Sequence, residues 1–84
     1  MKTVYTNNFK KHFVYWRQNN KKTAEKISEL IKAVENDPFG GIGKPEPLAY
    51  TLSGCWSRRI NREHRLVYRV QNGELQLLSC RFHY

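Results

Sequence analysis

An 84-residue chain has room for one domain with a modest core, and none for a separate cofactor-binding domain. It carries 15 Lys and Arg against 7 Asp and Glu, a formal charge of +8. That excess on so small a surface points to a polyanionic partner, most often nucleic acid; the bland alternative is a basic protein without one.

The two basic residue types are segregated. All eight Lys lie at or before Lys44, and six of the seven Arg lie at or after Arg58, with Arg17 the exception. A guanidinium fork matches phosphate oxygens bidentately, whereas an ammonium is a hydrated point charge. Specific phosphate contacts are therefore expected in the C-terminal half, and a solvated or steering surface in the Lys-rich half. Cys55 and Cys80 form no Cys-x-x-Cys pair and have no His at zinc-ligand spacing, so they read as reduced core or sheet residues. Met1 leads into a mixed, strand-like segment, not an apolar signal, and no run approaches membrane-spanning length. The expected compartment is the cytoplasm.

In chain order, KTVYT at 2–6 reads as a short strand. Asn7 or Asn8 can cap a helix, because a short polar side chain accepts from the exposed first-turn amides. Phe9, Phe13 and Trp16 then recur at helical spacing with His12 beside them, until Gln18-Asn19-Asn20 breaks the pattern. In a second helix Ala24, Ile27, Leu30, Ile31 and Val34 form one apolar stripe, with Lys22, Lys26, Glu29 and Lys32 off it. Asn36-Asp37-Pro38 ends it. The Pro- and Gly-rich stretch DPFGGIGKPEP at 37–47 reads as a functional loop around Lys44 and Glu46, the chain being too short for a linker and second domain.

Residues 55–60, 65–71 and 74–82 read as strands in two successive hairpins, with turns near 61–64 and at Asn72-Gly73. Alternation puts Leu66, Tyr68 and Val70 on the core and Arg65, Val67 and Arg69 on an open face. Trp56 and Ile60 join the core, and Arg59 the open face, if the first turn holds an odd number of residues. The last strand stays ambiguous. A two-residue turn would put Arg65 on the face of Cys80 and Phe82, and a three-residue turn on that of Arg81 and His83.

Metal-free RNA cleavage needs a base for the 2′-hydroxyl proton, an acid for the leaving 5′-oxygen, and fixed positive charge for the phosphorane between these steps. Candidate bases are Glu46, held in a rigid Pro-Glu-Pro segment, and Glu63 in a turn. Candidate acids are His12, His64 and His83, and the C-terminal arginines supply charge. Each also has a structural reading: Glu46 as a solvated loop carboxylate, His12 as a packing residue, His64 as a turn residue, and His83 and Tyr84 as a frayed end. There is no phosphate-binding Gly-x-x-x-x-Gly-Lys loop, no carboxylate cluster for Mg²⁺, and no Ser or Cys with a convincing base partner.

Three stretches together resemble one family end to end: PFGGIGKPEPL at 38–48, LSGCWSRRINREHRLVYRV at 52–70 and CRFHY at 80–84. They are similar to the YoeB/Txe toxins of the RelE/ParE superfamily. The resemblance implies an α+β, microbial-ribonuclease-like fold over residues 1–84, with two N-terminal helices packed on a twisted, mainly antiparallel sheet. It implies a toxin of a type II toxin–antitoxin system that cleaves mRNA in the ribosomal A site without metal or other cofactor. It also implies homodimerisation and neutralisation by a YefM-like antitoxin with an acidic C-terminal segment. Carried over by residue, Glu46 is the general base, His83 the general acid and Arg65 the transition-state stabiliser. Arg59 and Tyr84 position substrate, and Lys44 joins them as a substrate-binding candidate. One departure is Ala49, where the family often has a basic residue. ParE relatives inhibit a protein target such as gyrase and need no acid or base, so the Glu46, Arg65, His83 combination speaks against that alternative. A plain RNA-binding module is the third reading, which a cleavage assay separates.

Overall fold

The computed structural model describes residues 1–82. Strand β1 (Lys2–Tyr5) leads into helices α1 (Asn7–Asn19) and α2 (Lys21–Asn36). The chain then returns as β2 (Glu46–Pro47), β3 (Cys55–Arg59), β4 (Arg65–Gln71) and β5 (Glu74–Ser79). The strands form one sheet in the order β1-β5-β4-β3-β2. Only the β1–β5 pairing is parallel; the other three are antiparallel. The expected α+β architecture of two helices on a mainly antiparallel sheet is what the chain adopts.

Local chemistry sets the helix ends. The α1 cap is Thr6, not Asn7 or Asn8: its Oγ1 accepts the Phe9 amide at 3.2 Å and donates to the Leu77 carbonyl at 2.9 Å. Thr6 succeeds because it satisfies the helix and ties it to β5 at once. Asn20 joins the helices. Its amide donates to the Trp16 carbonyl at 2.7 Å, and its Oδ1 accepts the Thr23 amide at 3.1 Å. The α2 stripe is buried as its spacing requires, Ala24, Ile27, Leu30, Ile31 and Val34 all lying in the core. It packs with Phe9 and Trp16 against Leu66, Tyr68, Leu75 and Leu77 of the sheet. Each buried Leu or Ile contributes about 2 kcal/mol. No helix among the described residues is long and apolar enough to cross a membrane.

The register of β3 on β4 follows from a five-residue turn at 60–64, with Arg59 opposite Arg65 and Trp56 opposite Tyr68. Five is odd, so Trp56 and Ile60 fall on the helix side and Arg59 on the other. The next hairpin has the two-residue turn that Asn72-Gly73 signals. Gln71 pairs with Glu74, and both turn residues have positive φ, 53° and 73°. The last strand takes the register of the two-residue turn first and then, past a bulge, the alternative that puts Arg65 on the face of Arg81. Tyr68 pairs with Leu77 but Val67 pairs with Ser79, so Leu78 is the extra residue of a bulge. The strand then ends at Ser79, not at 82.

Arg58 belongs to the C-terminal arginines in which phosphate contacts are expected, and here the structure differs. It lies between Trp56 and Ile60 on the helix-side face and is fully buried. Its Nε donates to the Tyr68 hydroxyl at 3.2 Å, its Nη1 to the Ile42 carbonyl at 2.9 Å, and its Nη2 to the Asp37 carbonyl. The Tyr68 hydroxyl in turn donates to the Pro38 carbonyl at 2.6 Å. Burial raises the Tyr68 pKa above its ordinary value, and the guanidinium opposes that rise. Among the described residues Arg58 is the one buried cation, and with Tyr68 it holds the backbone of the loop.

Arg58→Lys keeps the charge but offers a point ammonium where a planar fork reaches three acceptors. It should lower the free energy of unfolding by about 3 kcal/mol, through a buried charge short of partners. Amides of residues 37–43 should also lose protection against hydrogen exchange. Denaturant melts of the two proteins beside exchange data are the check. An unchanged midpoint would reduce Arg58 to a space filler.

Candidate active site

The face of the sheet away from the helices is divided. At one end Leu48, Cys55 and Val67 form a second small core, with Leu52 and Leu78 packed on it. The remainder is open and basic. Residues directly opposite in an antiparallel pair share a face, so the pairings carry Glu46 onto Ser57, Ser57 onto Val67, and Arg59 onto Arg65. Glu46, Arg59 and Arg65 therefore project from one side. Glu46 and Arg59 are exposed and Arg65 is partly exposed. With strands about 4.8 Å apart and about 3.3 Å per residue, the Glu46 and Arg65 backbones are roughly 12 Å apart. That gap admits a phosphodiester between a carboxylate and a guanidinium.

The residues reach these positions for local reasons. Glu46 belongs to a two-residue strand at the sheet edge, within the segment the sequence reads as loop. Pro45 and Pro47 flank it, and proline in a sheet is tolerated only at such edges. Arg65 Nη1 donates to the carbonyls of Asn61 and His64 at 2.9 and 3.1 Å, which fixes the guanidinium while its Nε and Nη2 keep their donor capacity. The Arg59 amide donates to the Gly43 carbonyl at 2.6 Å and sets Lys44 beside it. Gly43 has φ +86°, and a Cβ there would meet Leu30 Cδ2 at 2.8 Å, so only glycine lets the loop approach α2 this closely.

Lys44 and Arg59 line a shallow hollow together with Lys26 and Arg62. The linear segregation of Lys from Arg is thus undone in space: Lys26 of α2 and Lys44 of the loop join two arginines of the C-terminal half. Arg62 and Lys26 are additions that the sequence reading did not single out. A basic residue in a hairpin turn and one just off a helix stripe carry no signal of proximity until the fold is known. Ala49 is exposed and opens the short turn at Tyr50–Leu52.

The other acid and base candidates lie elsewhere. Glu63 is on the 60–64 turn and shares a hollow with Tyr15, His64, Arg81 and Phe82. His12 sits on α1, on the helix side, where its Nδ1 accepts the Cys80 amide at 3.2 Å. Burial, and then the nearby Arg81 charge, lower its pKa. The His64 Nδ1 accepts the Phe82 amide at 2.6 Å, with its ring 4.8 Å from that of Trp16. The expectations for His83 and Tyr84 fall outside the described residues. Cys55 and Cys80 are buried free thiols, and burial pushes the Cys80 thiol up to about 12. Among the described residues no three His, Cys, Asp or Glu gather as metal ligands.

The family model described as "YoeB-like toxin of bacterial type II toxin-antitoxin system" matches residues 5–84. A toxin YoeB of Synechocystis sp. is 54% identical, over 100% of this chain and 98% of the relative. Among solved structures, a YoeB/ParE toxin from Agrobacterium tumefaciens superposes with TM-score 0.96 at 44% identity, covering 100% of both chains. A Staphylococcus aureus relative, solved as a YoeB dimer, has TM-score 0.90 at 41% identity, over 100% of this chain and 98% of that one. Solved as a YoeB–YefM complex, it has TM-score 0.88 at 42% identity with the same coverage. With its loop, its divided sheet face and its basic hollow in place, the chain belongs to the YoeB-like toxins of bacterial type II toxin–antitoxin systems.

Proposed function

We propose that this toxin is an endoribonuclease that cuts mRNA in the A site of translating ribosomes, by general acid–base catalysis without a metal. The observation that carries the reading is the common open face of Glu46, Arg59 and Arg65. Glu46 takes the proton of the ribose 2′-hydroxyl. The freed oxygen attacks phosphorus, and the P–O5′ bond breaks as O5′ takes a proton from His83. The products are a 2′,3′-cyclic phosphate and a 5′-hydroxyl. Arg65, fixed through one nitrogen, turns its remaining donors to the phosphorane, where charge accumulates. Arg59 and Lys44 hold flanking phosphates, and Tyr84 stacks on or positions the substrate. The +8 charge supports long-range attraction to ribosomal and messenger RNA.

The partners follow from the same family. The Staphylococcus aureus relative is solved as a dimer and with YefM. We infer a homodimer here as well, and an antitoxin whose acidic C-terminal segment covers the arginine face. The toxin then acts in the cytoplasm, where its ribosomal target is.

On programmed ribosomes the protein should cut mRNA, and on free RNA it should cut poorly, with EDTA leaving any residual free-RNA cleavage intact. Single-turnover rates should fall by about 10²-fold or more for Arg65→Ala, Glu46→Gln and His83→Gln, the scale of losing a transition-state donor or a proton-transfer group. Ribosome affinity should barely change. Equal activity on naked RNA, metal dependence, or losses confined to affinity would overturn the reading.

An antitoxin held by charge should be recovered from the native host at low ionic strength, abolish cleavage, and dissociate more readily as salt rises. Pull-downs at two salt concentrations, followed by the cleavage assay, decide this. Capture that yields no inhibitory partner would remove the acidic antitoxin from the account.

A further inference from the structure

Cys80, Arg81 and Phe82 are tied down atom by atom. The Cys80 amide donates to His12 Nδ1 at 3.2 Å, and the Cys80 carbonyl accepts from Trp16 Nε1 at 2.8 Å. The Arg81 guanidinium lies 3.4 Å from the centre of the Tyr15 ring and 4.5 Å from that of Phe82. The Phe82 amide donates to His64 Nδ1 at 2.6 Å, and its carbonyl accepts the Arg65 amide at 3.3 Å. Phe82 itself has φ +67°, a left-handed backbone that costs a non-glycine residue about 1 kcal/mol and persists only where its surroundings impose it.

We propose that His64 is a positioning residue for cleavage: its Nδ1 holds the Phe82 amide, and with His12 on the Cys80 amide it fixes the point from which residues 83 and 84 start. The inference rests on the reading of His83 as the general acid. A ring nitrogen that accepts an amide hydrogen must be unprotonated, so each imidazole works as the neutral form with its proton on Nε2. Both rings share their surroundings with charge. Arg81 faces His12 from the last segment and is part of its lowered pKa. Glu63 and Arg81 share the hollow beside His64, and the Arg65 guanidinium bonds the His64 carbonyl. On α1, Tyr15 lines that hollow and Trp16 meets the His64 ring edge-on. Arg65 is thereby held twice: its guanidinium donates to the turn's carbonyls, and its amide donates to the Phe82 carbonyl of the last segment. One turn thus anchors both the phosphorane-stabilising arginine and the stem of the acid.

Two substitutions separate the acceptor from the ring. His64→Phe keeps an aromatic against Trp16 and Phe82 but has no acceptor. His64→Asn places Oδ1 where Nδ1 stood. His64→Phe should cut at a rate lower by about 10²-fold at saturating ribosomes, the cost of a displacement near 1 Å, with ribosome affinity and melting temperature close to the parent's. His64→Asn should recover most of the rate. The Phe82 amide should lose exchange protection in His64→Phe and keep it in His64→Asn. In a His83→Gln background the His64→Phe loss should shrink to a few-fold, because the group it positions is gone. Parent-like cleavage by His64→Phe, no recovery with Asn, or an equal loss in the His83→Gln background would each overturn the proposal. If His83→Gln alone leaves the rate intact, the acid assignment fails separately, and the His64→Phe rate and the Phe82 amide still decide the clamp. Should His64→Phe not fold, nitrogen NMR of the parent decides. An unprotonated Nδ1 coupled to the Phe82 amide supports the clamp, and a protonated Nδ1 removes it.

Discussion

A guanidinium with no solvent exposure, surrounded by carbonyl oxygens, is the constraint on which this molecule turns. Burying a cation is costly unless every donor is answered, and Arg58 is answered by Tyr68 and by the backbone at Asp37 and Ile42. The exchange runs in both directions. The loop supplies the acceptors that permit the charge to be buried, and the charge gives a Gly- and Pro-rich segment the internal partners it lacks. Gly43 then lies against Leu30 and the Arg58 stem, and its carbonyl receives the Arg59 amide. Lys44 and Glu46 follow directly. Adjacent residues Arg58 and Arg59 thus do opposite work, one beneath the sheet holding the loop and one above it facing solvent.

That division depends on parity. Five residues in the first turn place the aromatic and aliphatic members of β3 and β4 on the helices and leave Arg59 and Arg65 on the open face. One residue more or fewer would turn Arg59 into the core and bring Arg58 out of it. The bulge at Leu78 makes a second correction of this kind. It lets Leu75 and Leu77 serve the main core and Cys80 return to it, while Leu78 packs on the small second core. A regular ladder could not place alternate residues on the helix side both before and after that point.

How much of this could be read beforehand follows from the range of each interaction. Short-range signals were legible: the α2 stripe and the Asn72-Gly73 turn formed as expected, and β4 puts Leu66 and Tyr68 on the core, but Val67, expected on an open face, is buried in the second small core that Leu48 and Cys55 build. The common face of Glu46 and the arginines was half legible, since parity places Arg59 and Arg65 together but says nothing of a two-residue strand inside a Pro-Glu-Pro loop. What escaped were residues whose partners are distant in sequence. Thr6 caps a helix while bonding Leu77, and Arg58 serves a loop about twenty residues earlier. Arg62 and Lys26 meet across the fold. A bulge leaves no composition signal, and so the register of the last strand could not be settled by periodicity.

The histidines bring the local and distant cases together. Read as residues, His12 and His64 are acid candidates on equal terms with His83, since an unperturbed imidazole titrates near neutrality. Geometry separates them. Each has its Nδ1 committed to a backbone amide of one short segment, and a nitrogen that accepts a structural hydrogen bond is not also free to take a substrate's proton. Those bonds count against either ring as the acid, and the proposed mechanism gives that task to His83, the penultimate residue of the sequence. A terminal acid is plausible only if the chain leading to it is stiff, because a frayed imidazole would spend little time within reach of the leaving oxygen. The left-handed Phe82, the ring contacts of Arg81 and the two histidine acceptors supply that stiffness up to residue 82, just ahead of the proposed acid. In a protein this small, order in residues 80–82 has to be built from the same helix and turn that make the core. That is why α1 carries Trp16 for packing and His12 and Tyr15 for the tail on neighbouring positions of one face.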